Sequence, residues 1–107
     1  MSRPLTRRER DVLDALLTVE IEDAATLRDD ARSVRVVGTC ACGCPTIYFT
    51  DGSGVTPRVD ASITGSDDTL FLFTVDGRLG GIEWVGVADD VPRELPDPAR
   101  LVASPAR

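Results

Sequence analysis

The sequence predicts an α+β domain in which two amino-terminal helices pack on an antiparallel meander of about five strands. Apolar residues recur at helical spacing only between about residues 7 and 31. Between about residues 33 and 87, runs of β-branched and aromatic residues alternate with turns rich in glycine and aspartate. A chain of 107 residues normally builds one core, so we expect a single domain spanning residues 1–107.

Two helices are predicted in the first third of the chain. Thr6 and Glu9 fit a capping box, and the apolar spacing after them predicts a helix from about residue 7 to residue 19. Alanine and leucine side chains share one face between residues 24 and 31, which predicts a second helix. Neither helix can bury its apolar stripe alone, so both need a sheet to pack on.

Five strands are predicted after the helices, with glycine, aspartate and serine marking the turns between them. The third strand carries the weakest signal. Asp76-Gly77 predicts a tight hairpin between the last two strands, and the glycines of the fifth strand predict bulges or close backbone approach. The five strands span about residues 33–39, 46–50, 59–64, 69–75 and 79–87.

The fourth strand is apolar on both faces, because Leu70, Phe71, Leu72 and Phe73 follow one another without a polar residue. One face meets the helices, and the other face needs a cover. The sequence leaves two alternatives for what covers this second face. The chain's own carboxyl-terminal tail could lie there, or a second copy could bind in a homodimer.

The carboxyl-terminal segment is rich in proline between residues 91 and 98, which excludes a continuing strand there. Asp97 and Pro98 fit the cap and the first position of a short helical turn. Residues 88–107 are therefore predicted to form a tail with one short helical turn, laid on the surface of the domain.

The composition excludes several classes of partner. A net charge of −6 disfavours a nucleic-acid binder, whose affinity comes largely from cations placed against phosphates. No stretch approaches the roughly 20 apolar residues that cross a bilayer, and no apolar run follows the basic first residues, so we expect a cytoplasmic protein without a membrane partner. All twelve basic residues are arginine, which is typical of GC-rich bacterial genomes.

Four of these arginines cluster at the start of the first predicted helix, where positive charge opposes the helix dipole. They are Arg3, Arg7, Arg8 and Arg10. The cluster is interpreted either as a solvated helix entry or as a docking patch for an acidic partner.

Cys40, Cys42 and Cys44 are the only cysteines of the chain and stand at alternate positions. Residues two apart in an extended segment point the same way, so the three thiolates can converge on one soft cation. Copper(I) accepts three sulfurs, whereas zinc needs a fourth ligand. Asp51, Asp60, a water or a thiolate from a second subunit could supply that ligand.

Two other interpretations of the cysteines remain open. Cys42 and Cys44, separated by a single glycine, could form a strained and readily reduced disulfide in a thiol redox protein, with Cys40 as the resolving or spare thiol. No lysine or histidine stands nearby to lower a thiol pKa. The third interpretation is structural, with cysteines as small hydrophobic residues in a tight buried connection.

The segment from Cys40 to Pro45 resembles that of a family of small bacterial proteins of unknown function, which carry Cys-x-Cys-Gly-Cys-Pro near the middle. The similarity extends more loosely to residues 36–38 and 76–83. The resemblance implies that the cysteine loop is a hallmark of the family, and it brings no catalytic residues with it.

These observations predict a small cytosolic binding or regulatory module whose partner is an unknown protein or a second copy of the chain. An enzymatic role is not expected, because a chain without histidine or lysine cannot form a Cys-His or Ser-His pair. No catalytic or organic-cofactor residue is assigned. The alternatives are a thiolate protein that binds zinc or copper(I) through the three cysteines, and a thiol redox protein.

Overall fold

The computed structural model describes residues 2–87 and 91–106. In this part of the chain two helices precede a six-stranded antiparallel sheet, which confirms the predicted α+β class. The strands lie side by side in the order β1-β2-β5-β4-β3-β6. The elements are α1 (Arg7–Leu16), α2 (Ala24–Ala31), β1 (Gly38–Thr39), β2 (Ile47–Tyr48), β3 (Val55–Ile63), β4 (Thr69–Val75), β5 (Arg78–Val85) and β6 (Leu101–Pro105).

The first helix begins at the predicted capping box. The hydroxyl of Thr6 accepts a hydrogen bond from the Glu9 backbone N–H at 3.1 Å, and the Glu9 carboxylate accepts one from the Thr6 backbone N–H at 2.8 Å. Arg3 binds the same carboxylate at 2.8 Å, so the segment before the helix is tied to its first turn. Helix α1 ends at Leu16, three residues before the predicted end, and α2 has the predicted bounds.

Strands β3, β4 and β5 form the meander at the centre of the sheet. The hairpin between β4 and β5 turns at Asp76 and Gly77, whose φ angles of 52° and 78° are the positive values that this tight turn requires. The core lies between the helices and one face of the sheet. Its fully buried side chains include Leu13, Leu16, Leu27, Ile47, Leu70, Leu72 and Ile82.

The end of the predicted tail is a strand. Residues Leu101–Pro105 pair antiparallel with β3 and form an edge of the sheet, where proline is tolerated. The short helical turn lies at Pro98–Arg100 as predicted, and the Asp97 carboxylate accepts a hydrogen bond from the Ala99 backbone N–H at 2.9 Å. Residues 88–90 and 107 of the predicted tail lie outside the described residues.

The first two strands are shorter than predicted, and each has only two residues. Before β1, Val36 pairs with Arg3 through two backbone hydrogen bonds of 2.9 and 3.0 Å. The amino-terminal segment is therefore the backbone partner of Val36, and the predicted first strand does not continue its pairing with β2 at this residue. The third strand is longer than predicted and begins at Val55.

The apolar face of β4 that points away from the helices is covered within the chain around Phe73. This side chain is only 2% exposed, because its ring lies over Gly80 and Gly81 and its centroid is 6.3 Å from that of Tyr48. Phe71 packs beside it at 6.0 Å. Strand β6 lies at the sheet edge and does not cover this face. The homodimer stays a prediction.

No helix in residues 2–87 and 91–106 has the length and apolar character needed to span a membrane.

Candidate metal centre

The cysteine loop is the connection between β1 and β2, the two short strands at one edge of the sheet. Strand β2 is held against β5 through the pairs Ile47 with Ile82 and Tyr48 with Gly81. A Cβ atom at Gly81 would overlap the carbonyl oxygen of Ile47 and lie 2.7 Å from the Phe73 ring. Glycine at this position therefore allows the close approach that positions the loop.

The loop brings the three thiols together. Gly43 takes a φ angle of 88°, and its backbone N–H donates to the Cys40 carbonyl oxygen at 3.2 Å, which closes the turn. The three sulfur atoms all lie within 4.8 Å of one another, and those of Cys40 and Cys42 are 2.8 Å apart. The backbone N–H of Cys44 donates to the Cys42 sulfur at 3.3 Å. The predicted convergence of the three cysteines is present.

The sulfur positions suit one soft metal ion. Sulfurs bound to zinc at about 2.3 Å lie about 3.8 Å apart in a tetrahedron. This separation falls between the 2.8 Å that separates the Cys40 and Cys42 sulfurs and the 4.8 Å within which all three sulfurs lie. All three cysteines are free thiols, with Cys42 exposed and the other two half-exposed. This exposure contradicts the interpretation that they fill a tight buried connection.

The carboxylates suggested as a fourth zinc ligand do not belong to the cluster. Within residues 2–87 and 91–106, the cluster of possible metal ligands consists of the three cysteines alone. Asp60 lies on β3, which β5 and β4 separate from β2, a distance of about 14 Å at ordinary strand spacing. Asp51 follows β2 in the turn toward β3. Among the described residues, therefore, no carboxylate stands in the cluster as a fourth ligand.

Two of the thiols have pKa values shifted in opposite directions. Hydrogen bonding with Cys40 and Cys44, which favours the protonated thiol, raises the pKa of Cys42 to about 11. Burial raises the pKa of Cys44, but hydrogen bonds from Thr46 and from the neighbouring thiols outweigh burial and lower this pKa to about 7. Cys44 is therefore about half ionised at neutral pH, whereas Cys42 keeps its proton.

Thr46 belongs to the candidate site, although the sequence patterns did not single it out. Its buried hydroxyl oxygen lies 3.3 Å from the Cys44 sulfur and accepts a hydrogen bond from the Trp84 backbone N–H at 3.0 Å. The hydrogen bond from Trp84 occupies a lone pair of the hydroxyl oxygen and leaves the hydroxyl hydrogen available. That hydrogen can be donated to an ionised Cys44. Thr46 stands two residues after Cys44, the spacing that places side chains on one side of an extended segment.

The site as a whole is an exposed group of three thiols on an edge hairpin, with one thiol prepared for ionisation. It can bind a soft cation, and the Cys42–Cys44 pair can exchange with a disulfide. Comparison of the chain with protein-family models, with curated proteins and with solved structures found no match.

Proposed function

We propose that the protein is a small binding module that holds one soft metal ion through Cys40, Cys42 and Cys44. The observation that carries this proposal is the convergence of three free sulfur atoms within 4.8 Å of one another. Thiolate sulfur selects copper(I) and zinc over the hard cations magnesium and calcium. Exposure of the loop would leave the ion accessible for exchange.

The identity of the metal depends on the fourth coordination position. Copper(I) is satisfied by the three sulfurs and needs no further ligand. Zinc requires a fourth donor, and because the cluster within residues 2–87 and 91–106 consists of the three cysteines alone, a water or a group supplied by a partner protein or a second copy would take that position. A partner's donor at that position would make metal binding and partner binding one event.

Elemental analysis tests this proposal directly. Protein purified under reducing conditions is expected to carry or take up one equivalent of zinc or copper(I), and Cys42→Ser is expected to lose it. Ala41→Ser is the matched control, because it places the same hydroxyl at the neighbouring exposed position without removing a sulfur. Reduced protein that binds neither metal at micromolar concentration, or a Cys42→Ser variant that binds as tightly as the unchanged chain, would refute the proposal.

A second candidate function, thiol–disulfide exchange, is favoured by the lowered pKa of Cys44. An attacking thiol is most effective when its pKa lies near the ambient pH. The Cys44 thiolate would attack an external disulfide and release one thiol, and Cys42 would then displace the second thiol and close a Cys42–Cys44 disulfide. Measurement of the reduction potential tests it: the pair must oxidise reversibly without forming dimers between chains.

A further inference from the structure

A cleft of about 420 Å³ adjoins the cysteine loop on the side of helix α1. This volume lies within the range of sites that hold small molecules, roughly 300–1,000 Å³. The cleft brings together three parts of the chain that are far apart in sequence: the start of α1, the end of the cysteine loop and the segment after residue 90. The side chains that matter most in its lining are Arg3, Arg7, Arg8, Arg93, Cys44 and Thr46.

The lining of this cleft is basic although the chain as a whole is acidic. Four arginines face only two carboxylates, those of Glu9 and Glu94, which leaves an excess of two positive charges. The whole chain carries −6. A cleft that concentrates one sign of charge against the net charge of its protein raises the local concentration of ligands of the opposite sign.

Two of the four arginines form side-chain hydrogen bonds with the protein, and within the described residues the other two form none. Arg3 is fixed by two hydrogen bonds to the Glu9 carboxylate, of 2.8 and 3.0 Å, and Arg8 donates to the Leu95 carbonyl oxygen at 2.9 Å. Arg7 and Arg93 are exposed, and within residues 2–87 and 91–106 neither forms an ion pair. Among the described residues no side-chain hydrogen bond uses the guanidinium group of Arg7 or Arg93, so in this part of the structure their donors are available to a ligand.

We propose that this cleft binds a small oxyanion, a carboxylate or a phosphate, through Arg7 and Arg93 and holds it beside Cys44. Guanidinium groups match both anions because their paired N–H donors bind two oxygens at once. The proposal goes beyond the metal site and is independent of it, since the arginines are not metal ligands. It assigns Arg7 of the amino-terminal cluster to a small ligand and adds Arg93 to it.

The charge of the cleft can be measured at Cys44 with two alkylating reagents, anionic iodoacetate and neutral iodoacetamide. Both displace iodide by attack of the same thiolate, so the degree of ionisation cancels in the ratio of their rates. In metal-free reduced protein, the iodoacetate-to-iodoacetamide ratio at Cys44 is expected to exceed that at Cys42 by roughly fivefold at low salt. Mass spectrometry of peptides reads the two cysteines separately in the same sample.

Variants distinguish the effect of the cleft arginines on this rate ratio from the effect of the net charge of the protein. In Arg7→Gln/Arg93→Gln the ratio at Cys44 is expected to fall to the value at Cys42. The control Arg32→Gln/Arg58→Gln removes the same charge from exposed or half-exposed positions that do not line the cleft, and its ratio is expected to stay as in the unchanged chain. Equal ratios at the two cysteines of the unchanged chain, or a ratio that survives in the cleft variant, would overturn the proposal.

Competition identifies the oxyanion. Succinate and inorganic phosphate, tested separately, are expected to slow the alkylation of Cys44 by neutral iodoacetamide while leaving Cys42 unaffected. Protection by succinate alone indicates a carboxylate ligand, and protection by phosphate alone indicates a phosphate ligand. If neither anion protects Cys44 at millimolar concentration, the cleft does not bind oxyanions and the proposal is wrong.

Discussion

Replacing Thr46 by valine removes one hydroxyl and keeps the shape of the side chain, so it isolates what that hydroxyl does for Cys44. The lone hydroxyl oxygen serves two partners, the Cys44 sulfur at 3.3 Å and the Trp84 backbone N–H at 3.0 Å. Burial opposes the ionisation of Cys44, and the Thr46 hydroxyl is one of the groups that outweigh this effect. Without the hydroxyl, the thiolate of Cys44 is less stabilised. The pKa of Cys44 is expected to rise from about 7 toward its ordinary value of 9.0.

The size of the effect follows from the fraction of thiolate. At pH 7 a thiol with a pKa of about 7 is half ionised, and a rise of one unit leaves about one tenth ionised, a roughly fivefold loss of thiolate. The rate of Cys44 alkylation by iodoacetamide should fall by that factor at pH 7, and its midpoint in a pH titration should rise by at least about one unit. The Trp84 N–H loses its acceptor as well, which should cost about 1–2 kcal/mol of stability.

Two further variants make the experiment decisive. Thr46→Ser keeps the hydroxyl and should keep the low pKa of Cys44, while Thr56→Val removes an exposed hydroxyl on β3, away from the cysteine loop, and should leave that pKa unchanged. A midpoint that stays near pH 7 in Thr46→Val would refute the role of the hydroxyl. An equal shift in the serine and valine variants would mean that packing, rather than hydrogen bonding, sets the pKa.

Three other outcomes are expected. Gly81→Ala should lower the free energy of unfolding by about 2–3 kcal/mol in urea denaturation, whereas Gly38→Ala, whose added Cβ would meet Tyr48 at an ordinary 3.7 Å, should cost less than about 1 kcal/mol; equal losses would contradict the close approach at Gly81. Metal affinity, measured by competition with a chelator, should rise at least about tenfold per pH unit between pH 6 and 8, because the Cys42 proton must leave before its sulfur binds and Cys44 is still partly protonated below pH 7; a flat profile would exclude Cys42 as a ligand. Glu9→Gln should cost about 0.5–1 kcal/mol at pH 7, since Arg3 loses its ion pair. Burial raises the pKa of Glu9, but its hydrogen bonds with Arg3 and Thr6 outweigh burial and lower this pKa below 4.5. The ion pair therefore stabilises the protein above pH 4.5, and this stabilisation is lost as the pH falls through the pKa of Glu9 in the folded protein. Below that pH, the unchanged chain and Glu9→Gln should be equally stable.

Local signals in the sequence predicted the elements whose causes are local. The capping box at Thr6, the hairpin at Asp76-Gly77 and the whole of β4 lie where the pattern places them, because each depends on residues close in sequence. Strand β6 depends on pairing with β3, about 40 residues away, and the prolines before it pointed to a tail. The burial of Phe73 likewise depends on glycines that face it from the neighbouring strand.

The candidate site divides in the same way. The convergence of the three thiols follows from their alternate spacing and was predictable. The lowered pKa of Cys44 was not, because a hydroxyl at Thr46 replaces the cation that normally has this effect. The cleft could not be found from sequence at all, since folding alone brings Arg93 to the arginines of the amino terminus.

The hairpin that carries the cysteines has only two residues in each strand, fewer than the five or six that are typical of a strand. Such an edge can open locally while the central meander stays folded. A metal ion that joins Cys40 to Cys44 would clamp the two strands across their loop. Metal occupancy and order of this edge would then be linked in one equilibrium, in which loosening the hairpin releases the ion and binding the ion closes the hairpin.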